Sequence, residues 1–277
     1  MTIFISVSSA RTRQDVLAMD KVELGWNEFW AEIFRVRHRR QIPGIEHYDR
    51  LITDFIMESL GLKKGDSVLD IACGAGDQSV ELAKRGLNVT AFDIAETLID
   101  AAKATAKSRK VDVNFYAGDM RAMDHKSQFD AVLLLSHSFG FFDHDENKKV
   151  LEGAFVALKD DGCFLLDLMN PYNLPKFQRT WTPLDGGFLL NEPHFLDAPA
   201  GILTGRPATF IDTENDRIVL MDKDALSNND IRMYTALEIR EMLAEVGFKR
   251  VELYGAAKLP RLPYAANSER MVVIAHR

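Results

Sequence analysis

The chain has 277 residues, of which 47% are hydrophobic and 27% charged. This ordinary globular composition excludes a peptide-like or disulfide-stapled module. The 34 lysine and arginine residues against 41 aspartate and glutamate residues give a formal net charge of −7, which disfavours nucleic acid as a partner because the surface repels phosphate on average. The two cysteines, Cys73 and Cys163, have no paired spacing, so neither a disulfide framework nor a cysteine-rich zinc site is indicated.

Two amphipathic helices are predicted ahead of the core. Four apolar residues at helical spacing between residues 26 and 33 indicate the first helix. Five more between residues 48 and 56 indicate the second, after a break at Pro43 and Gly44. Because they precede the alternating pattern of the core, residues 1–45 are interpreted as an N-terminal helical extension that serves as a lid.

From Ser67 onwards, short β-rich runs alternate with helical runs, a pattern typical of a parallel sheet with helices on both faces. Helices are predicted over residues 77–85 and 96–108 and around residues 150–158. We therefore expect five strands, all interleaved with helices. The predicted strands are Ser67 to Ile71, Asn88 to Asp93, Val113 to Tyr116, Ala131 to Leu135 and Cys163 to Leu168.

The pattern changes again in the C-terminal half. Glycine, proline, asparagine and short alternating runs predict a small antiparallel insertion at about residues 180–230. A capping box at Thr235 then opens a helix that ends at Gly247. Strands over residues 250–254 and 271–275 are joined by a loop, which predicts an antiparallel edge hairpin. The predicted fold is α/β, with a doubly wound, mostly parallel, seven-stranded Rossmann-like sheet in a domain of residues 46–277.

The segment from Val68 to Asp77 predicts a buried strand that runs through a small-residue turn into a helix. Small residues at positions 72, 74 and 76 let the backbone approach a ligand and let the helix N-terminus point at it. Asp93 ends the next strand, where a carboxylate can accept hydrogen bonds from both ribose hydroxyls of a nucleoside. The alternative for Asp93 is a helix N-cap.

Two residues bear on which nucleotide cofactor this turn would bind. A dinucleotide enzyme would need a third glycine at position 79, and this chain has Ser79. Asp70, just before the turn, would repel a pyrophosphate but attract an ammonium or sulfonium group. Charge therefore favours S-adenosylmethionine, with a nicotinamide dehydrogenase as the rival on the same fold.

Two motifs resemble those of one enzyme family. The segment Val68-Leu-Asp-Ile-Ala-Cys-Gly-Ala-Gly76 resembles the first motif of class I S-adenosylmethionine-dependent methyltransferases, with Ala72 where that family often has glycine. The segment Ala117-Gly-Asp-Met-Arg121 resembles the stretch after their third strand. The resemblance covers about residues 48–277 and extends to the C-terminal helix and hairpin of small-molecule members.

The resemblance implies a set of cofactor contacts. Asp93 would bind the ribose, Asp119 the adenine amino group and Met120 the adenine ring. Tyr48 resembles a tyrosine that some members lay over the cofactor, although its helical spacing fits core packing equally well. The implied cofactor-binding residues are Tyr48, Asp70, Ala72, Gly74, Gly76, Asp93, Ile94, Gly118, Asp119, Met120, Leu135 and Ser136.

The methyl acceptor is predicted to be a small molecule. Methyltransferases that act on nucleic acid bases carry an Asn- or Asp-Pro-Pro-aromatic motif after the fourth strand, and this chain has Leu135-Ser-His-Ser-Phe-Gly-Phe-Phe142 there. The same segment lacks the paired acidic residues expected of an aminopropyltransferase. The predicted reaction is an SN2 displacement onto a nitrogen or oxygen atom that leaves S-adenosylhomocysteine. A non-catalytic S-adenosylmethionine-binding regulator and an RNA or protein methyltransferase remain alternatives.

His137 is the candidate catalytic residue, because it follows the fourth strand, at the sheet edge where substrates of open α/β folds bind. An imidazole can take a proton from a hydroxyl as a general base; a histidine that only packs or hydrogen bonds is the alternative. No histidine spacing indicates a metal. We expect no membrane partner and a cytoplasmic location, because no apolar segment is long enough for a membrane span or a signal-peptide core.

Overall fold

A computed structural model gives the structure of the protein and describes residues 18–39, 45–174, 180–184, 186–191, 195–197, 200–204, 208–221 and 230–277. In chain order, the first half contains β1 (Asp20–Leu24), α1 (Trp26–Arg39), α2 (Ile45–Leu60), β2 (Ser67–Ile71), α3 (Asp77–Lys84), β3 (Asn88–Asp93), α4 (Glu96–Arg109), β4 (Asn114–Ala117), β5 (Phe129–Leu134) and α5 (His144–Ala157). The second half contains β6 (Leu158–Met169), β7 (Thr180–Leu184), β8 (Gly187–Asn191), β9 (Phe195–Asp197), β10 (Ile202–Thr204), β11 (Ala208–Asp212), β12 (Arg217–Met221), β13 (Asp230–Arg232), α6 (Ala236–Val246), β14 (Arg250–Tyr254) and β15 (Arg270–His276).

The central sheet has seven strands in the order β14-β15-β6-β5-β2-β3-β4. Strands β6, β5, β2, β3 and β4 run parallel, whereas β15 is antiparallel to both β6 and β14. Apolar clusters lie on both faces of this sheet, as expected for a parallel sheet covered by helices on both faces. The predicted Rossmann-like α/β fold and its antiparallel edge hairpin are confirmed.

Local signals explain where several elements begin. Asp143 caps α5, since its carboxylate accepts a hydrogen bond from the Glu146 amide. The predicted capping box of α6 is present, with Thr235 and Glu238 bonding each other's backbone amides. Helix α6 ends at Gly247, whose φ of 117° suits a residue without a side chain.

The expectation that helices separate all five parallel strands is wrong between β4 and β5. Among the described residues there, only a single 3-10 turn occurs, Met120–Ala122. Its N-cap is Asp119, whose carboxylate accepts a hydrogen bond from the Arg121 amide. A short polar segment with one cap forms a turn rather than an amphipathic helix, because a helix needs several turns to repay its nucleation.

Strand β6 begins at Leu158, five residues before its predicted start at Cys163. The pairing register between β5 and β6 shifts in this region, and Asp161 has a φ of 62°. The turn-like sequence at residues 159–162 is therefore an irregularity within the strand rather than a connection before it.

The inserted strands form two further sheets, one of which includes the N-terminal strand β1. A five-stranded sheet has the order β1-β12-β11-β8-β7, and β1 lies parallel to β12. Phe29 and Ile33 of α1 pack with Leu189, Phe210 and Val219 of this sheet. A further three-stranded sheet has the order β13-β10-β9. Strand β1 was not indicated by the sequence pattern.

Helix α1 also contacts the main domain. Ala31 is buried in a cluster with Ala75, Ala95 and Leu98. Ala75 lies in the turn after β2, and Ala95 directly precedes α4. One helix thus packs on the inserted five-stranded sheet through Phe29 and on the turn through Ala31. Across the part of the chain that is described, no helix is long and apolar enough to cross a membrane.

Candidate functional site

The turn between β2 and α3 has an unusual backbone. Ala72, Gly74 and Gly76 have φ angles of 52°, 56° and 79°. Such left-handed geometry suits glycine and costs an L-residue such as Ala72 about 1–2 kcal/mol. The Cys73 amide donates to the Phe92 carbonyl at 2.9 Å, which fixes the turn against the end of β3.

Asp93 connects the turn to the next helix. Its Oδ2 accepts a hydrogen bond from the Gly74 amide at 2.9 Å, and its Oδ1 accepts one from the Ala95 amide at 3.0 Å. Asp93 is buried, and this burial raises the pKa of its carboxyl against the opposing effect of these amide donors. The bond to Ala95, the N-cap residue of α4, supports the helix start. The bond to Gly74 places the same carboxylate beside the turn.

Gly74 and Gly76 have opposite surroundings. A Cβ atom added at Gly74 would meet no atom of the described residues within 4 Å, its chain neighbours aside. One added at Gly76 would lie 2.7 Å from Cζ of Phe115 and 2.8 Å from Cβ of Ala102. Gly76 therefore permits close packing against α4, whereas Gly74 faces open space beside the Asp93 carboxylate. An open backbone surface of this kind is what a closely held ligand requires.

Asp70 lies at the end of β2, next to the turn. The Ser79 hydroxyl donates a hydrogen bond of 2.5 Å to its Oδ2. Burial is the main cause that raises the pKa of Asp70 to about 7; the Ser79 bond lowers this pKa and the charge of Asp93 raises it. The serine found in place of a third glycine is thus the hydrogen-bond partner of this carboxyl, and a nearby cation would favour its ionised form.

We predict that Asp70→Asn changes the pH dependence of stability. The folded-state pKa of Asp70, about 7, lies above its ordinary value of 3.8, so the folded state retains a proton that the unfolded state has lost between these pH values. Ionised Asp70 therefore destabilises the wild type increasingly as the pH rises from about 4 to 7. Asp70→Asn should gain roughly 4 kcal/mol of relative stability across this range, measured by urea unfolding.

Ser79→Ala provides the control for this prediction. It removes the hydrogen-bond donor that lowers the pKa of Asp70, so this pKa should rise further. The loss of stability with rising pH should then continue to a higher pH than in the wild type. Parallel stability curves for the wild type and Asp70→Asn between pH 4 and 8 would contradict the assigned cause.

The residues implied to contact adenine lie at the same edge of the sheet. The Gly118 amide donates to the Asp93 carbonyl at 3.0 Å. The Asp119 carboxylate accepts hydrogen bonds from the Arg121 guanidinium at 2.6–3.1 Å, which lowers its pKa. Arg121 also pairs with Glu146 of α5. Met120 packs at the margin of an apolar cluster.

Tyr48 and Ile94 are large and exposed, at 54% and 49% of their accessible areas. Core packing, the alternative for Tyr48, is therefore wrong for this side chain. Ile94 follows Asp93 directly and offers an apolar surface next to the buried carboxylate. A contact of either side chain with a cofactor stays a prediction.

Leu135, Ser136 and His137 follow β5. Leu135 is buried, whereas Ser136 is exposed. Burial, with the positive charge of Arg270 as a second cause, lowers the pKa of His137 to about 4. The imidazole is therefore neutral at physiological pH and suited to hydrogen bonding. Sequence reasoning missed Arg270 and Asp167, the charged groups that act on this ring.

The comparisons with known proteins agree with this geometry. A family model described as a methyltransferase domain matches residues 68–162. The glycine/sarcosine N-methyltransferase of Parasynechococcus marenigrum (strain WH8102) is 24% identical over 227 residues, covering 76% of each chain. A ubiquinone biosynthesis O-methyltransferase of Coxiella burnetii is 40% identical over 111 residues, covering 39% of this chain and 45% of that protein. The chain spans about half the length of the first curated relatives it matches, 56% and 44%.

Solved structures share the fold at low identity. An S-adenosylmethionine-dependent methyltransferase of Clostridium acetobutylicum ATCC 824 has a TM-score of 0.69 and 18% identity, covering 90% of this chain and 98% of that one. An amino pentose methyltransferase of Micromonospora echinaspora, solved with S-adenosylmethionine bound, has a TM-score of 0.62 and 19% identity, covering 92% and 99%. The fold is that of Rossmann-like methyltransferases. The chain therefore contains a methyltransferase domain within this fold.

Proposed function

We propose that the protein transfers a methyl group from S-adenosylmethionine to a nitrogen or oxygen atom of a small molecule. One observation carries the proposal: the open backbone at Gly74 lies against the buried Asp93 carboxylate. The domain match supports the cofactor class. The names of the similar proteins, which include a glycine/sarcosine N-methyltransferase, a ubiquinone biosynthesis O-methyltransferase and a sugar N-methyltransferase, support a small acceptor.

The donor groups of the site fit S-adenosylmethionine. Asp93 is a charged acceptor suited to ribose hydroxyls, and Asp70 supplies negative charge for a cationic methionine end once it is ionised. Asp119, Met120 and Ile94 would take the adenine, and the open side of Gly74 would admit the cofactor against the backbone. When bound, S-adenosylmethionine supplies the reactive sulfonium methyl; the protein supplies alignment and exclusion of water.

His137 would orient the acceptor. A neutral imidazole accepts a hydrogen bond from an N–H or O–H group, which directs the lone pair of that nitrogen or oxygen. An amine acceptor that arrives deprotonated needs no stronger base. For a hydroxyl acceptor, the same ring would take the proton as the new carbon–oxygen bond forms.

A binding and turnover assay tests the proposed function. The purified chain is titrated with S-adenosylmethionine and separately with NAD by calorimetry, then incubated with a panel of amino sugars, glycine derivatives and phenols. We expect binding of S-adenosylmethionine but not of NAD, and a product 14 Da heavier than one acceptor, as one CH₂ is added. Tight binding with no product from this panel, RNA or protein would favour a regulator. Methylated RNA or protein would indicate a macromolecular acceptor.

We also propose that residues 1–45 and the insertion at about residues 180–230 form a lid over the methyltransferase domain of residues 46–277. Helix α1 supports this proposal, because it contacts both the inserted sheet and the turn. A lid excludes water from the reacting groups and completes the site on closure.

Phe29→Ala tests the lid. Phe29 is fully buried against the inserted sheet, so its truncation should cost about 3–5 kcal/mol of packing there. We expect a lower kcat and a higher KM for the acceptor, with hydrogen exchange of β2 and β5 amides unchanged. Phe155→Ala, which removes a ring that packs on Phe248 instead, is the matched control. Unchanged kinetics in Phe29→Ala would contradict the lid.

A further inference from the structure

The turn after β5 has two consecutive residues with left-handed backbones. Ser136 and His137 have φ angles of 55° and 64°, a conformation that non-glycine residues rarely adopt and that surrounding contacts must maintain. One residue provides two of those contacts. The Asp167 carboxylate accepts a hydrogen bond from the Ser136 amide at 3.1 Å, and the Asp167 carbonyl accepts one from the His137 amide at 3.1 Å.

Asp167 is itself held by Arg270. The Arg270 guanidinium donates from Nη2 to Oδ2 at 2.5 Å and from Nε to Oδ1 at 3.1 Å. The Asp167 and Arg270 side chains are 8% and 23% exposed. Asp167 lies on β6, and Arg270 begins the neighbouring strand β15. A buried ion pair is weak evidence for stability, because desolvation offsets its attraction, but its two-point geometry fixes orientation.

The His137 ring carries a polar atom without a partner. Nδ1 is buried and has no hydrogen-bond partner among the described residues. Buried polar atoms are normally paired, and an unpaired one calls for an explanation such as a catalytic role or a missing ligand. The ring lies at the carboxyl end of β5, the edge where substrates of open α/β sheets bind. Arg270 and Asp167 both act on it electrostatically, with opposite signs.

We propose that Asp167 and Arg270 are positioning residues that hold the Ser136–His137 turn, so that the His137 imidazole stays at the sheet edge where the methyl acceptor would bind. This inference rests on the proposed function, because it needs an acceptor at the carboxyl edge of the sheet. The pair acts through the backbone of residues 136 and 137 and through the field on the ring. Neither residue needs to contact the acceptor.

The protein offers a matched control at the opposite end of the sheet. Asp130 Oδ2 accepts a hydrogen bond from the Ser67 amide at 2.7 Å and pairs with Lys159 at 2.8 Å. This carboxylate also joins a cation to a backbone amide, yet it lies near the start of β5 rather than after its end. Asp130→Asn therefore removes a comparable bridge without affecting the turn after β5.

The first measurement is an NMR titration of the His137 imidazole in the full chain. Arg270→Gln removes the positive charge that opposes protonation, so the midpoint should rise above about 4, while burial, the larger cause, keeps it below the ordinary value near 6.5. Arg270→Lys keeps the charge and should restore most of the wild-type midpoint. Asp130→Asn should leave it unchanged. The same midpoint in the wild type and Arg270→Gln would overturn the inference, whether or not the protein proves to be a methyltransferase.

The second measurement is turnover with the acceptor identified by the product screen, beside calorimetry with S-adenosylmethionine. Asp167→Asn and Arg270→Gln should lower kcat about tenfold and raise the acceptor KM, with the cofactor Kd within twofold of the wild type. Equal losses in Asp167→Asn and Asp130→Asn, or an unchanged acceptor KM and kcat, would overturn the positioning role. A wild type that binds no S-adenosylmethionine would instead contradict the proposed function and remove the acceptor from this inference.

Discussion

Replacing Gly74 by alanine is expected to weaken S-adenosylmethionine binding at least about tenfold, with a loss of stability limited to backbone strain. The added methyl group would project into open space, since beyond its chain neighbours no atom of the described part of the chain lies within 4 Å of it. If the cofactor occupies that space, the methyl group overpacks the complex, which typically costs about 1–3 kcal/mol. The φ of 56° adds about 1–2 kcal/mol of strain in the free protein. Calorimetry gives the Kd, and urea unfolding gives the stability.

Substitutions at two other glycines distinguish the effect of backbone strain from the effect of cofactor contact. Gly61 has a φ of 64°, and an added Cβ there would also meet no atom of the residues described, apart from its chain neighbours, within 4 Å. It follows α2, away from the turn. Gly61→Ala should therefore show the strain without the loss of affinity. Gly76→Ala should lose stability instead, because its methyl group would collide with Phe115 and Ala102. Equal cofactor affinities in Gly61→Ala and Gly74→Ala would contradict the proposed cofactor position.

Asp93→Ala is expected to weaken cofactor binding by about 1–3 kcal/mol, the typical loss when a charged hydrogen-bond partner is removed. Part of this loss reflects the turn, because Asp93 also accepts hydrogen bonds from the Gly74 and Ala95 amides. A double-mutant cycle with a cofactor analogue that lacks the ribose hydroxyls separates the two effects.

If Asp93 binds the ribose, the substitution should cost the analogue less than it costs S-adenosylmethionine. Asp66→Ala is the control, since Asp66 also accepts a backbone hydrogen bond, from Lys63, but precedes β2. Equal losses with both ligands would show that Asp93 only supports the turn. An unaltered Kd for S-adenosylmethionine would contradict the site itself.

Local sequence patterns predicted the helices and strands well where the residues that define an element lie close together in the sequence. Strands β2, β3 and β14 begin and end at the predicted residues, because each is a short run of mostly β-favouring residues within the alternating pattern. Strand β1 escaped prediction, because it is a five-residue strand, Asp-Lys-Val-Glu-Leu, paired with residues almost 200 positions away. Pairing over such a distance leaves no trace in a short window of sequence.

The same distinction applies to the site. The spacing of the turn and Asp93 placed both in one region, because the carboxyl ends of neighbouring parallel strands meet at one edge of a sheet. Asp167 and Arg270 could not be found this way, since 103 positions separate them and only the antiparallel pairing of β6 with β15 brings them together. Sequence pattern located His137 but gave no indication of its lowered pKa, which depends on those two residues.

The two-sided packing of α1 has a thermodynamic consequence. Its Phe29 side contacts the inserted sheet, and Ala31 contacts Ala75 and Ala95 beside the turn. Any ligand that binds one arrangement of α1 more tightly than another must shift the population of both contacts together. Such coupling is reciprocal. If an acceptor orders the inserted sheet through α1, it would raise the affinity for a ligand at the turn. A ligand at the turn would then raise the affinity for the acceptor by the same factor.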